Sequence, residues 1–267
     1  MDHPLAAPSW RAHFLQAARA GRAAARRARG RLPSDCPLCG GRASGGRLCP
    51  GCESDVVRSM RDPGLPRCGR CALPLPAPAA VCPGCARRPP AFARAVAGFD
   101  YVAPADLLVL QLKNGLRLAR APLLAGLLAQ SVRAAAEPLP ADAVLVPVPA
   151  SRASLRRRGF NPAGEIARAL AAELHRPLRP QWLARVRESA KQSTLGRDAR
   201  LRGPQGAYAS PPGLPPCAVA LVDDVMTTGS TLDAAARALR RAGVREVVAL
   251  AAARVPHPGG GQGRLAQ

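Results

Sequence analysis

Aromatic residues make up only 3% of the 267 positions, and lysine is nearly missing: Lys113 and Lys191 are the two among 39 basic residues, leaving 37 arginines. Acidic residues number 17 against those 39, which gives a formal net charge of +22. That surplus suits anionic ligands or nucleic acid. An arginine- and alanine-rich, aromatic-poor composition is also what a G+C-rich genome imposes, so the charge alone selects no partner. No uncharged apolar run reaches the roughly eighteen residues of a membrane-spanning helix, so no such span is expected. Arginines interrupt every apolar stretch before Pro33. A secretory leader is therefore not expected, and the chain reads as cytoplasmic, with its thiols reduced. Two nucleotide loops are absent as well, G-x-x-x-x-G-K-[ST] and a G-x-G-x-x-G that follows a strand. The four histidines, His3, His13, His175 and His257, fall outside every motif described below.

What the chain does have is cysteine in pairs. Eight of its nine cysteines form four C-x-x-C pairs: Cys36 and Cys39, Cys49 and Cys52, Cys68 and Cys71, Cys82 and Cys85. Nine residues separate the first two pairs, ten the last two, and fifteen lie between the halves, a spacing that suggests duplication. Each half offers four thiolates for tetrahedral zinc, with Pro and Gly beside the cysteines to form tight knuckles. Large apolar residues are few over 33–89, so metal is expected to stand in for a core. All-thiolate ligation leaves no open coordination position, which assigns both ions to structure. Sequential pairing is the simpler arrangement, and cross-braced pairing stays open. Arg42, Arg47, Arg58, Arg61, Arg67 and Arg70 decorate this module and leave room for a nucleic-acid or protein contact.

Residues 218–243, AVALVDDVMTTGSTLDAAARALRRAG, combine a strand, a polar elbow and a helix. The apolar run 218–222 has the pattern of a parallel strand covered on both faces, ended by Asp223 and Asp224. Paired carboxylates at the carboxyl end of a buried strand belong in the crevice where α/β sheets bind ligands, and they suit two neighbouring hydroxyls. Thr227, Thr228, Gly229, Ser230 and Thr231 follow, and a helix starts at once, with Ser230 and Asp233 spaced as a capping box and Gly243 as its stop. Amides, hydroxyls and a glycine at a helix mouth make a cradle for one phosphate. Acids for vicinal hydroxyls beside a phosphate cradle describe a ribose 5-phosphate site.

The remaining segments arrange themselves around that stretch. Residues 1–32 form a basic arm with seven arginines, in which Arg19, Arg22, Arg26 and Arg29 share one helical face. The arm has the composition of a partly disordered solvated helix, and an anionic surface or nucleic acid is the other occupant it suits. Pro89 and Pro90 mark a linker, a strand is expected over 95–102, and helices are expected to end near Lys113 and to run over 121–135. The buried-strand run 144–148 delivers Ser151 and Arg152 to the crevice as a diphosphate clamp. Arg156, Arg157 and Arg158 follow as a basic turn, and Asn161 caps a helix that opens on Pro162. Residues 183–208 read as a long loop, with Lys191, Gln192, Arg197 and Arg200 suited to closing over a leaving group. A last strand is expected over 247–253, then a loose tail; Cys217 reads as a small buried residue.

A cysteine-paired front end, VPVP followed by RRRGFN, a KQSTLGR segment and LVDDVMTTGST, in that order, resemble the ComF family of double-zinc-ribbon phosphoribosyltransferase-like proteins. The resemblance covers about residues 33–255 and implies an α/β type I phosphoribosyltransferase fold, a parallel sheet with flanking helices, behind a small double zinc ribbon. With the residues outside it, the chain reads as four segments: an arm over 1–32, ribbons over 33–89, the transferase-like domain over 90–255 and a tail over 256–267. The implied ligand is 5-phosphoribosyl 1-diphosphate with Mg2+, held by Asp223, Asp224, Thr227, Thr228, Gly229, Ser230, Thr231, Ser151, Arg152, Arg158, Asn161, Lys113, Gln192 and Arg200. Asp223, Asp224, Lys191 and Arg152 are implied to carry pentosyl transfer to an acceptor that the sequence does not name. The family is associated with competence, the uptake of transforming DNA. The alternative is a non-catalytic accessory of that machinery, contacting single-stranded DNA or a helicase through its ribbons and basic surface. Purine-salvage relatives place an aspartate where this chain has Thr227, so a purine acceptor finds no general base here.

Overall fold

The computed structural model describes residues 30–62, 66–77, 79–187 and 206–256, together with positions 21 and 28. Most of the basic arm and all of the tail from 257 lie outside the described residues. The chain divides into two compact units, 1–52 and 53–267.

In the first unit, β1 (Pro33–Asp35) and β2 (Arg42–Ser44) pair antiparallel with Pro33 opposite Ser44. A knuckle closes between them: the Gly40 amide donates to the Cys36 carbonyl at 2.9 Å and the Cys36 amide to Gly41 at 2.7 Å. Helix α1 (Pro50–Arg61), most of which belongs to the second unit, opens on a proline, whose missing N–H costs nothing at a first helical position.

In the second unit, α2 (Pro83–Arg87) starts just after Cys82 and carries Cys85, the last of the paired cysteines. Next come β3 (Arg94–Asp100), α3 (Asp106–Lys113), α4 (Arg120–Ala134), β4 (Val144–Pro147), α5 (Arg152–Arg158) and α6 (Pro162–Leu174). The two-residue strands β5 (Ala184–Arg185) and β6 (Tyr208–Ala209) precede β7 (Ala218–Met226), α7 (Ser230–Arg241) and β8 (Glu246–Arg254). Strands β3, β8, β7 and β4 form one parallel sheet in that order. Its strands are near-continuous runs of Ala, Val and Leu because helices cover both faces.

On one face α4 lies across β3 and against α6. Gly98 permits this approach: a Cβ there would stand 2.7 Å from the Ala252 carbonyl oxygen and 3.2 Å from the Leu128 amide nitrogen. The other face carries α7, the β5–β6 pair and the second cysteine ribbon. There Val146, Leu221 and Ala249 of the sheet share one core with Leu232 and Leu239 of α7, Tyr208, and Cys68, Leu73, Leu75 and Phe92. The apolar residues of this ribbon are few, as the sequence shows, but they are buried in the domain's own core.

Several expectations change. Strand β7 does not stop at Val222: backbone pairing with β8 runs on through Asp223 opposite Ala251, Val225 opposite Ala253 and Met226 opposite Arg254. Amides and carbonyls make that ladder whatever the side chains are. The arginine triplet is helical, within α5, and not a turn. The ends of the 183–208 segment are not loop, since Ala184 pairs with Ala209 and Arg185 with Tyr208. Cys217 is half-buried.

Candidate functional site

The site forms at the carboxyl edge of the sheet, where β4 and β7 end side by side. The Val148 amide donates to Val222 at 2.8 Å and extends their pairing one residue past β4. Beyond it Ser151 caps α5, accepting from the Ser154 amide at 3.1 Å, and the exposed Arg152 starts that helix. Asn161 occupies the N-cap position of α6 but makes no capping bond. Its Nδ2 donates to the Val148 carbonyl at 3.0 Å instead, tying α6 to the end of β4.

Asp223 and Asp224 project from β7 into this corner. Lys113 closes it from the end of α3, its Nζ 2.8 Å from Asp224 Oδ1 with both side chains largely buried. Asp223 Oδ1 accepts from the Asp224 amide at 2.8 Å. Burial and the neighbouring Asp224 carboxylate push the Asp223 carboxyl up to about 7, and the Lys113 charge opposes this only in part. Burial and Arg157 pull the Arg158 guanidinium down, while Asp224 supports its charge. Two acids, an ammonium and a guanidinium thus stand close enough at this strand end to act on one another's charge.

Past Met226 the chain turns through Thr227 and Thr228, both exposed, and Gly229 in the left-handed region at φ +79°. A side chain there is strained by that φ, and its Cβ, 2.7 Å from Met226 Cε, would also push the tip of that flexible side chain aside. Thr228 Oγ1 donates to Ser230 Oγ at 3.0 Å and accepts the Ser230 amide at 3.3 Å, which fixes the turn. The first bond of the helical ladder here runs from the Asp233 amide to the Gly229 carbonyl at 2.8 Å, so the Thr231 and Leu232 amides lie at the open mouth of α7. The capping box does not form. Asp233 turns away to accept from the Ala91 amide at 2.7 Å and from Arg237 at 3.1 Å.

The structure thus brings together Lys113, Arg158, Asn161, Asp223 and Asp224, with residues 227–231 beyond the strand end and Ser151 and Arg152 at the facing one. Lys191, Gln192, Arg197 and Arg200 lie outside the described residues. Sequence reasoning missed Arg254, which is 3% exposed at the end of β8. It donates to the Met226 carbonyl at 3.1 Å, to Thr227, and to the Cys71 carbonyl at 2.9 Å. A charged residue closing a run of alanines in a buried strand was the available signal. Arg67, read as surface decoration, forms a two-pronged pair with Asp100 at 3.0 and 2.7 Å.

Both cysteine groups assemble sequentially. The sulfur atoms of Cys36, Cys39, Cys49 and Cys52 lie within 4.8 Å of one another, and so do those of Cys68, Cys71, Cys82 and Cys85. The Cys39 and Cys49 sulfurs stand 3.6 Å apart, and those of Cys71 and Cys82 3.7 Å. Tetrahedral zinc with bonds of about 2.3 Å requires sulfurs about 3.8 Å apart, so each group could hold zinc. Backbone amides already face the sulfurs, Cys82 to Cys68 at 3.2 Å and Gly41 to Cys39 at 3.4 Å. Burial opposes ionisation of Cys36 and Cys68, yet the surrounding backbone N–H groups outweigh it and bring them down to about 6 and about 7.

A parallel sheet with an acidic strand end, a tight turn and a helix mouth behind it is the architecture of a type I phosphoribosyltransferase domain, here with two four-cysteine groups before it. The family described as Phosphoribosyl transferase domain matches residues 153–260. The chain is 37% identical over 184 residues to the DNA utilization protein YhgH of Salmonella typhi, covering 67% of this chain and 80% of that one. Against YhgH of Escherichia coli K12 the identity is 33% with the same coverage. Against Competence protein F of Haemophilus influenzae it is 31% over 205 residues, 75% of this chain and 87% of the relative. The chain belongs to the ComF family. Among the described residues no helix is long and apolar enough to cross a membrane.

Proposed function

We propose that this chain binds 5-phosphoribosyl 1-diphosphate and can transfer its pentosyl group, in a pathway of DNA uptake or use. The observation that carries this is the juxtaposition of Asp223 and Asp224 with the mouth of α7, on strand β7 and directly after it. The two carboxylates accept the ribose 2- and 3-hydroxyls, while the Gly229-to-Leu232 amides and the Thr227, Thr228, Ser230 and Thr231 hydroxyls hold the 5-phosphate. Ser151, Arg152, Arg158 and Asn161 face the diphosphate. An acceptor's lone pair forms the new bond at the anomeric carbon as the bond to diphosphate breaks; diphosphate leaves with that electron pair, and the acceptor's proton passes to solvent.

Among the described residues the only groups of three or more His, Cys, Asp or Glu that could hold a metal are the two of cysteine, so Mg2+ fits here as a partner of the ligand's own oxygens and water. When bound it neutralises the leaving diphosphate. Zinc fits the cysteine groups and serves structure. The thiol-rich composition suits the cytoplasm.

Calorimetric titration of phosphoribosyl diphosphate with Mg2+ tests the site. Binding to wild type and loss of at least tenfold in affinity in folded Asp223→Asn/Asp224→Asn are expected; equal affinity in the two proteins refutes the assignment. A second role is favoured by the names of the relatives and by Arg152, Arg156 and Arg157, exposed together on α5. These would give salt-dependent contact with single-stranded DNA or a helicase, measured by fluorescence anisotropy at two salt concentrations.

A further inference from the structure

The second cysteine group and the turn after β7 are joined through one side chain. Arg254 is 3% exposed, a burial that a guanidinium sustains only when its donors are used. Its Nε donates to the Cys71 carbonyl at 2.9 Å, and its Nη2 lies 3.9 Å from Cys71 Sγ. Its Nη1 donates to the carbonyls of Met226 at 3.1 Å, Val255 at 2.6 Å and Thr227. Cys71 belongs to the metal-binding group, and Met226 and Thr227 are the residues from which the turn springs. A guanidinium is a rigid planar fork, so a shift at one set of acceptors is passed to the other set and not absorbed in the side chain.

Two more contacts, from the segment that leaves this ribbon, reach the same turn. The Ala91 amide donates to Asp233 in the first turn of α7 at 2.7 Å. The buried ring of Phe92 lies beneath Gly229, 3.8 Å from where a Cβ would stand. Four thiolates drawn onto one ion fix the Cys71 backbone. Without the ion the sulfurs take back protons and share no common centre, and the Cys71 carbonyl loses its fixed direction.

We propose that Arg254 is a positioning residue that couples metal at Cys68, Cys71, Cys82 and Cys85 to the shape of the 226–233 turn, so that metal and sugar phosphate each strengthen the other's binding. The sugar-phosphate half rests on the proposed phosphoribosyl diphosphate site; the coupling of metal to the turn does not. A side chain that merely braced the core would stabilise the fold without making metal release respond to a ligand.

The test uses the full-length, zinc-loaded protein carrying Cys36→Ser/Cys39→Ser, so that zinc release reports the second group, with Arg254→Met and Arg254→Lys introduced into it. Two quantities are read: amide hydrogen exchange of a peptide covering 226–233, and the rate of zinc transfer to a chromophoric chelator with and without ribose 5-phosphate. Stripping zinc is expected to speed exchange in that peptide by about tenfold, while peptides from the middle of β4 and β7 hold. Arg254→Met reproduces the increase with zinc still bound, and Arg254→Lys, which keeps the charge but not the fork, falls between. Ribose 5-phosphate slows zinc release by about fivefold or more in the Arg254 protein and by less than about twofold in Arg254→Met. Exchange at 226–233 that ignores both zinc and Arg254→Met overturns the proposal, as does zinc release that is unaffected by ribose 5-phosphate once that ligand is shown to bind. If ribose 5-phosphate does not bind at all, the sugar-phosphate site fails and the exchange comparison alone decides the coupling. If Arg254→Met does not fold, Arg254→Lys decides it, by a rise in exchange or none.

Discussion

Replacing Asp223 with asparagine is expected to stabilise the protein, and to do so more at high pH than at low. Asp223 is raised from its ordinary 3.8 to about 7, first by burial and then by Asp224. The folded protein therefore holds a proton that the unfolded chain gives up, and the carboxyl disfavours folding as pH rises. The cost is absent below about pH 4, builds between about 4 and 7, and is complete above about 7. A tenfold change in proton affinity is worth about 1.4 kcal/mol, so the cost reaches about 4 kcal/mol at pH 8 and about 2 kcal/mol at pH 5, both as upper values. Asparagine keeps an Oδ1 for the Asp224 amide, whose bond to Asp223 is 2.8 Å, so the substitution removes charge without opening that contact. Urea unfolding of the metal-saturated protein at pH 5 and pH 8 measures it. Asp223→Asn should gain stability at both, with the gain about 2 kcal/mol larger at pH 8. A gain that does not change with pH, or a loss at pH 8, refutes the assignment of a buried, like-charged carboxyl pair at this strand end.

Lys113→Met leaves the Asp224 carboxylate, now 2.8 Å from the lysine amine, without its partner, and thermal melting at pH 8 should show a loss of about 2 kcal/mol or more. Gly229→Ala has to hold an alanine at φ +79° against Met226 Cε, so a loss of about 1–2 kcal/mol and weaker phosphoribosyl diphosphate binding by calorimetry are expected. Cys68→Ser removes a ligand that is 2% exposed and shared with the core of the sheet, so scanning calorimetry should show the transition of the second unit lowered by several degrees, whereas Cys36→Ser leaves that transition in place.

Much of this site could be read from residue order. The apolar run over 218–222 exposes β7 because both faces of the strand are covered, and the T-T-G-S-T elbow exposes the helix mouth because left-handed backbone at Gly229 needs a glycine. Cysteine spacing exposes the two metal groups because a tetrahedral ion demands it. The rest was hidden where a residue's partner is far away in sequence. Ser230 and Asp233 have capping-box spacing, but the Ala91 amide, 142 positions earlier, takes the carboxylate. Asn161 sits where a cap belongs, yet its amide serves β4. Arg254 stands one residue past the apolar run 247–253, and nothing local tells that Cys71, 183 positions earlier, lies against it. The length of β7 was misjudged for a related reason, since carboxylates end an apolar pattern but leave the backbone ladder intact.

The central claim is that a sugar phosphate lies between the acids of β7 and the mouth of α7. Amide chemical shifts of the 15N-labelled, zinc-loaded protein, followed by nuclear magnetic resonance during titration with phosphoribosyl diphosphate and Mg2+, test it most directly. Saturable shifts largest at Asp224 and at Gly229 through Leu232, and absent in Asp223→Asn/Asp224→Asn, are predicted. Saturable shifts that leave Gly229 through Leu232 unmoved, or no shifts at millimolar ligand, contradict it.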